Sequence, residues 1–225
     1  MINLSKTLNK IRNYTREHLE LQKCHHFLFN LPLDKTSIKA DVLVIGLNPG
    51  EWPSDWDYVN TPTEETHEFD FHEEFGKGRA SIPWSKKCKN YLPDSKIFQS
   101  EFFFWSSPQT EEREKKEKFS ERFGYKFKDC PHFDFCKECN LELIRFHKPK
   151  LIVAPGTSWV DPFSNKYDLR HIKTLKREIN KKQGKIICHY EWEDIPFIFT
   201  PHWSGARGLN KEVKSEIKDY LSKFT

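Results

Sequence analysis

Apolar residues in this chain come in short unbroken runs separated by polar stretches. Val42-Leu43-Val44-Ile45 is stopped by Gly46, and Phe102-Phe103-Phe104-Trp105 is closed by Ser106-Ser107-Pro108. Lys150 to Ala154 is ended by Pro155-Gly156-Thr157-Ser158, and Pro196 to Thr200 is the last such run. Continuous apolar runs of this length predict strands buried on both faces, as in a parallel sheet. Lys185 to Tyr190, after Gly184, predicts one extra strand. Between these runs the period changes to that of a helix. Leu4, Leu8 and Ile11, continued through Tyr14, His18 and Leu21, predict an amphipathic N-terminal helix docking on the sheet and ended by Asn30 to Asp34. Leu141 and Ile144 predict a helix that must stop before Pro149, because the residue preceding a proline disfavours helical backbone. Ser158 can cap a helix, and Tyr167 to Asn180 reads as a basic helix carrying Arg170, Lys173, Lys176 and Arg177. Val213, Ile217, Tyr220 and Phe224 mark a closing helix. Strands alternating with helices predict an α/β fold, three-layer α/β/α around a central, mainly parallel four-stranded sheet.

The 225 residues are read as one domain spanning 1–225, with a loop-rich insertion at about 51–100. That insertion holds Trp52, Trp56, Tyr58, an acidic run from Glu64 to Glu74 with Phe69 and Phe71, and Gly76-Lys77-Gly78-Arg79. A stretch so long without periodicity, straight after a strand end, is expected to cover a site, and its aromatic content argues against disorder. The turn Gly76 to Arg79 is read as solvated rather than phosphate-binding. Thr110 to Arg122, dense in both signs of charge, is read as a solvated helix or an excursion from the domain.

Composition adjusts this picture only slightly. The chain is 36% hydrophobic and 31% charged, the balance of a soluble globular protein. With no run near 18 apolar residues and no apolar core at the N-terminus, a cytoplasmic protein with no membrane association is expected. A formal charge of +4 permits a nucleic-acid partner without demanding one. Nineteen Phe and seven Trp exceed what a core of this size needs, which leaves some to line a pocket. Six cysteines include Cys130, Cys136 and Cys139, but the Cys-x2-Cys pair has no second pair to complete a zinc site. They are read as reduced thiols packed on a helix, with no metal.

The chemistry gathers at strand ends. Asn48 stands between Leu47 and Pro49-Gly50, presenting one carboxamide past the first strand, where open α/β sheets bind ligands. Pro201-His202-Trp203-Ser204-Gly205-Ala206-Arg207-Gly208 follows the last strand. Since parallel strands share one C-terminal edge, Asn48, Ser106 and His202 are expected to converge in one crevice.

Three anchors, G-L-N-P-G, the middle K-P-K-L-I-V-A-P-G and the late T-P-H-W-S-G-A-R, occur in the order seen in the uracil-DNA glycosylase superfamily. Gly46-Leu47-Asn48-Pro49-Gly50 resembles the G-I-N-P-G and G-M-N-P-G motifs of its mismatch-specific and single-strand-selective branches. His202-Trp203-Ser204-Gly205 resembles a hybrid of H-P-S-P and N-P-S-G, with tryptophan in place of proline. The resemblance implies a uracil-DNA glycosylase-like fold and a monofunctional hydrolase that removes uracil or a related damaged base from DNA. By the same resemblance Asn48 and His202 are catalytic, and Gly46, Leu47 and Ser106 border the base. Trp52 and Tyr58 are the candidates to stack on it, and Asn60 and Thr61 occupy the place where the family often has an aromatic, which leaves the stacking residue unassigned. Pro49, Gly50, Ser204, Gly205 and Arg207 contact DNA, Arg207 entering the space left by the flipped base. The cysteine spacing does not match that of the iron–sulfur branches, so no cofactor is expected, and the protein is expected to act as a monomer on DNA. The alternative is a glycosylase-fold protein that binds nucleic acid or a nucleotide without cleaving it.

Overall fold

Val42–Gly46 forms a strand with every position buried, because its side chains alternate between two helical layers. Leu43 and Ile45 face one layer, and Val42 and Val44 the other. This computed structural model describes residues 4–24, 28–29, 39–48, 67–68, 83–107, 118–179, 181–203 and 209–225. In chain order the elements are α1 (Leu4–Glu17), β1 (Leu28–Phe29), β2 (Val42–Gly46), β3 (His67–Glu68), α2 (Pro83–Tyr91), β4 (Ile97–Glu101) and α3 (Phe119–Phe123). They continue with α4 (Phe133–His147), β5 (Leu151–Pro155), α5 (Val160–Lys166), β6 (Arg170–Ile179), β7 (Lys182–Trp192), β8 (Ile195–Thr200) and α6 (Lys211–Leu221).

The main sheet runs β4-β2-β5-β8-β7-β6. Its first four strands are parallel, β7 adds antiparallel to β8, and β6 adds antiparallel to β7. One face packs against α1, α4 and α5 through Leu8, Ile11, Leu143, Ile144 and Phe163. The other packs against α2 and α6 through Cys88, Tyr91, Val213 and Ile217. The architecture is therefore α/β with helices on both faces of a six-stranded mixed sheet. The four parallel strands answer to the expected sheet, and the antiparallel pair enlarges it.

Three expectations need correction. The Tyr167–Asn180 stretch is not a helix: Arg170–Ile179 is an edge strand, paired with β7. Its apolar positions Ile172, Leu175 and Ile179 fall at helical intervals, yet an edge strand with most positions exposed has no need to alternate. Pairing with β7, whose Ile186 to His189 are buried, decides the matter. Second, the strand beside β2 is Ile97–Glu101 rather than the aromatic run after it. Phe102, Phe103, Phe104 and Trp105 all lie in the same core layer, whereas a strand would send alternate residues to opposite faces. The backbone accordingly leaves the sheet after two further bonds, from Phe102 N–H to Gly46 C=O and from Phe103 N–H to Leu47 C=O. Third, the main sheet has six strands rather than four, because the β6–β7 hairpin joins its edge.

The aromatic run is the joint between sheet and helices. Phe102 stacks on Phe163 with centroids 3.6 Å apart, and Trp105 Nε1–H donates to Thr15 Oγ1 at 2.9 Å, fastening α1. Nearby, Cys136 and Cys139 sit on the buried face of α4, with Cys130 just before it. All six cysteines are buried and outside disulfides, and burial pushes the Cys130 and Cys139 thiols up to about 12, so they pack as small apolar groups. Among the described residues no helix is long and apolar enough to cross a membrane.

The chain entering β2 is tied to the end of α4 by one histidine. Ala40 N–H donates to His147 Nδ1 at 3.1 Å, which requires that nitrogen to be unprotonated. Burial, and then the Lys39 ammonium, lowers the His147 pKa from 6.5 to about 4. The unfolded chain therefore takes up a proton before the folded one, and this contribution to stability, full above pH 6.5, is lost as pH falls toward 4. The loss attributable to this residue is about 3 kcal/mol. His147→Asn, whose Oδ1 can accept the same N–H without titrating, is expected to flatten the dependence of urea-unfolding free energy on pH between 7 and 4.

Candidate functional site

Strand order and register locate a crevice. The connection leaving β2 leads to β4 on one side, while the chain continues from β5 to β8 on the other. That reversal creates an opening at the C-terminal ends of β2 and β5, the place where open α/β sheets bind ligands. Val44 pairs with Val153, and Pro155 with Thr200. Asn48 follows the end of β2 by two residues, and His202 follows the end of β8 by two. Two strand spacings separate β2 from β8, roughly 10 Å. Asn48 and His202 thus follow the C-terminal ends of two parallel strands that flank β5.

Gly156 forms the backbone between them. Its φ of 155° is open to glycine and strained for other residues, and its N–H donates to Thr200 C=O at 2.6 Å. Among the described residues, a Cβ at Gly156 would meet nothing nearer than the Trp159 ring at 3.8 Å.

On the β2 side, Asn48 Nδ2–H donates to Ser107 Oγ at 2.8 Å. That bond sets the carboxamide plane and turns Oδ1 to the side away from Ser107. Ser107 is the residue that the sequence reading passed over for its neighbour: Ser106 is wholly buried, and the hydroxyl on Asn48 belongs to the next position. The two adjacent serines were visible in the sequence, but the bend after β4 chose between them. Leu47 is half-buried against the aromatic layer.

On the β8 side, Trp203 is buried and lies parallel on Tyr91, with centroids 4.6 Å apart and planes 15° from parallel. Where the resembling motif has proline, this chain has a ring that anchors the loop to α2. His202, just before it, keeps an exposed surface within crowded surroundings. That crowding lowers its pKa below the usual 6.5, and the Lys87 ammonium on α2 lowers it further. The imidazole is neutral at pH 7, able to donate from one nitrogen.

A second residue that sequence reasoning missed is Glu101. It pairs with Gly46 in the register of β2 and β4 and is buried, two residues below Asn48 along the chain direction. Gly46 is glycine for a steric reason: a Cβ there would overlap the Glu101 carboxyl, its Cδ only 2.7 Å away. Gln99 Nε2–H donates to Oε1 at 3.1 Å, while Oε2 has no hydrogen-bond partner among the described residues. Burial pushes the Glu101 pKa up to about 8 against the opposing effect of Gln99, so the carboxyl is protonated at neutral pH. The available signal was an acid placed directly against the apolar run Phe102 to Trp105.

Of the predicted site residues, the structure brings Asn48, Gly46 and Leu47 to one strand end and His202 past the end of another strand of the same sheet. Pro49, Gly50, Trp52, Tyr58, Ser204, Gly205 and Arg207 lie outside the described residues, as do Gly76 to Arg79 and the acidic run apart from His67–Glu68. Among the described residues, no three His, Cys, Asp or Glu side chains are grouped to hold a metal ion. No family model matches the chain, and no curated protein matches it.

Two expectations follow from Glu101. Its contribution to stability is full below about pH 4.5 and is lost as pH rises toward 8, because the unfolded chain releases the proton first. The total is on the order of 5 kcal/mol. Glu101→Gln should remove that slope, so chemical denaturation at pH 8.5 is expected to find the variant more stable than wild type by several kcal/mol, with the difference closing near pH 4. Gly46→Ala should destabilise by about 1–3 kcal/mol through overpacking, and Glu101→Ser should recover most of that loss in a double-mutant cycle.

Proposed function

We propose that this protein is a monofunctional DNA glycosylase of the uracil-DNA glycosylase type, hydrolysing the N-glycosidic bond of uracil or a related damaged base in DNA. The observation that carries the reading is that Asn48 and His202 each follow by two residues the C-terminal end of a parallel strand, β2 and β8, on either side of β5. Cleavage builds positive charge on the sugar and negative charge on the departing base, so a catalyst needs one group to hold water and another to stabilise an anion. Asn48, its Nδ2 engaged by Ser107, offers Oδ1 to a water at C1′. An amide is no strong base, so the rate depends on how well the base leaves.

Across the crevice, neutral His202 donates a hydrogen bond to the base O2 as charge accumulates there. The base reaches this position by leaving the DNA stack. The fold supports this reading by its class: parallel strands with a shared C-terminal edge and helices on both faces.

The test is release of free base from a labelled oligonucleotide carrying uracil, hypoxanthine, xanthine or an alkylated base, in single and double strands. Asn48→Ala and His202→Ala should each lower the single-turnover rate by about 10²- to 10³-fold. Ser107→Ala, which removes one hydrogen bond to the water-holding group, should lower it roughly fivefold. The rate should be level from pH 7 to 9 and decline only below pH 6.5 as His202 takes up a proton. If wild type releases no base from any of these substrates yet binds DNA, the assignment moves to a binding protein built on this fold.

A further inference from the structure

The β6–β7 hairpin departs in charge from the rest of the molecule. From Arg170 to Lys185 seven residues are Lys or Arg and only Glu178 is acidic, whereas the whole chain carries a net +4. The remaining residues are therefore net acidic, and the positive charge is gathered in one element.

Part of that charge is neutralised near the body of the protein. Arg170 pairs with Glu191, and Arg177 makes two hydrogen bonds to Glu216 of α6, at 2.9 and 2.5 Å. Lys185 lies 3.8 Å from Asp161, and Lys173 sits over the Tyr220 ring at 4.8 Å. The groove between β6 and α6, about 370 Å³ and lined by Lys173, Glu216 and Asp219 among others, belongs to this compensated part. Beyond Arg177 the pairing stops, and Lys176 beside it is likewise uncompensated. Lys176, Lys181 and Lys182 are exposed, and among the described residues none has an acidic partner.

Register shows where the tip points. Cys188 pairs with Phe199 in the antiparallel β7–β8 ladder, which puts Ile187 opposite Thr200, the last residue of β8. β7 extends five more residues to Lys182, about 17 Å beyond the C-terminal edge. The same ladder sets Lys185 level with His202. Ile179 pairs with Lys182 to close the hairpin, and Lys181 between them has a left-handed φ of 61°. Lysines that merely guard an edge strand from pairing need only lie along β6. Here the uncompensated ones stand where the hairpin has outrun the parallel strands, beside the crevice.

We propose that the tip of this hairpin, through Lys176, Lys181 and Lys182, is an arm that binds the phosphate backbone of the nucleic acid whose base enters the Asn48–His202 crevice. The crevice half of that statement rests on the glycosylase reading, while the arm rests on the hairpin's own charge and reach. Backbone contacts of this kind release condensed counterions, so they weaken with salt and do not depend on sequence.

The experiment compares wild type with K176Q/K181Q/K182Q, and with Lys150→Gln at the opposite sheet edge as control. Fluorescence anisotropy follows a labelled duplex and its single strand from 50 to 200 mM salt, and thermal unfolding verifies that each variant is folded. The triple variant should bind on the order of 10²-fold more weakly near 0.1 M salt, with the log–log salt slope reduced by about 2 to 3, equally for unrelated sequences. Lys150→Gln should match wild type. Loss of affinity with a reduced slope supports the arm even if wild type releases no base, in which case only the glycosylase reading falls. Unchanged affinity and slope overturn the arm, and base release by wild type would then leave the crevice reading standing. Failure of wild type to bind either oligonucleotide at 50 mM salt also overturns it. So does loss of binding to phosphatidylserine vesicles in the triple variant with DNA affinity intact.

Discussion

The register in which β2, β5 and β8 pair is the constraint on which the rest of the structure depends. Slipping β5 by one residue against β2 would exchange every side chain between the two helical layers, sending Ile152 to the α2–α6 side and Val153 to the α1–α4 side. Both layers are densely packed, so the slip is costly, and the strand ends are held at one height. Asn48 and His202, more than 150 residues apart in sequence, come to the same edge of the sheet because two ladders of backbone hydrogen bonds align β2, β5 and β8. The crevice is a consequence of core packing.

Polar groups buried in that core carry the second theme. β4 is an edge strand, yet its Gln99, Ser100 and Glu101 are all buried. Ser100 and the backbone carbonyl of Glu101 are satisfied by Asn140 of α4, which also donates to Tyr167. The Glu101 carboxyl is the exception, kept protonated by burial beneath the G-L-N turn. His147 opposes it: burial keeps one group from losing a proton and the other from gaining one. Their contributions to stability run in opposite directions with pH, and both act on the segments that enter and leave β2.

Charge is divided along the same lines as shape. The parallel half of the sheet ends in a crevice with a carboxamide, a neutral imidazole and a glycine floor. The antiparallel half carries the positive charge out past that edge. α6 buries Val213 and Ile217 on the sheet while its Glu216 pairs with Arg177 of the hairpin. A polyanion approaching the C-terminal edge meets attraction at the hairpin tip.

What the sequence by itself determined is whatever depends on local pattern. Continuous apolar runs marked β2, β5 and β8, and helical spacing marked α1 and α6. Pro149 ended α4, and the two chemically loaded turns followed strands, so that Asn48 and His202 could be paired before any geometry was known. Only the tertiary structure could decide what depends on the neighbour across space. The aromatic run after β4 has the composition of a strand, but all four rings are wanted on one side of the sheet, so the backbone bends and Ser107, not Ser106, meets Asn48. Arg170–Ile179 has helical spacing, and an available partner in β7 made it a strand. Glu101 looked like an ordinary charged residue until Gly46, with no side chain, was found to make room for its carboxyl.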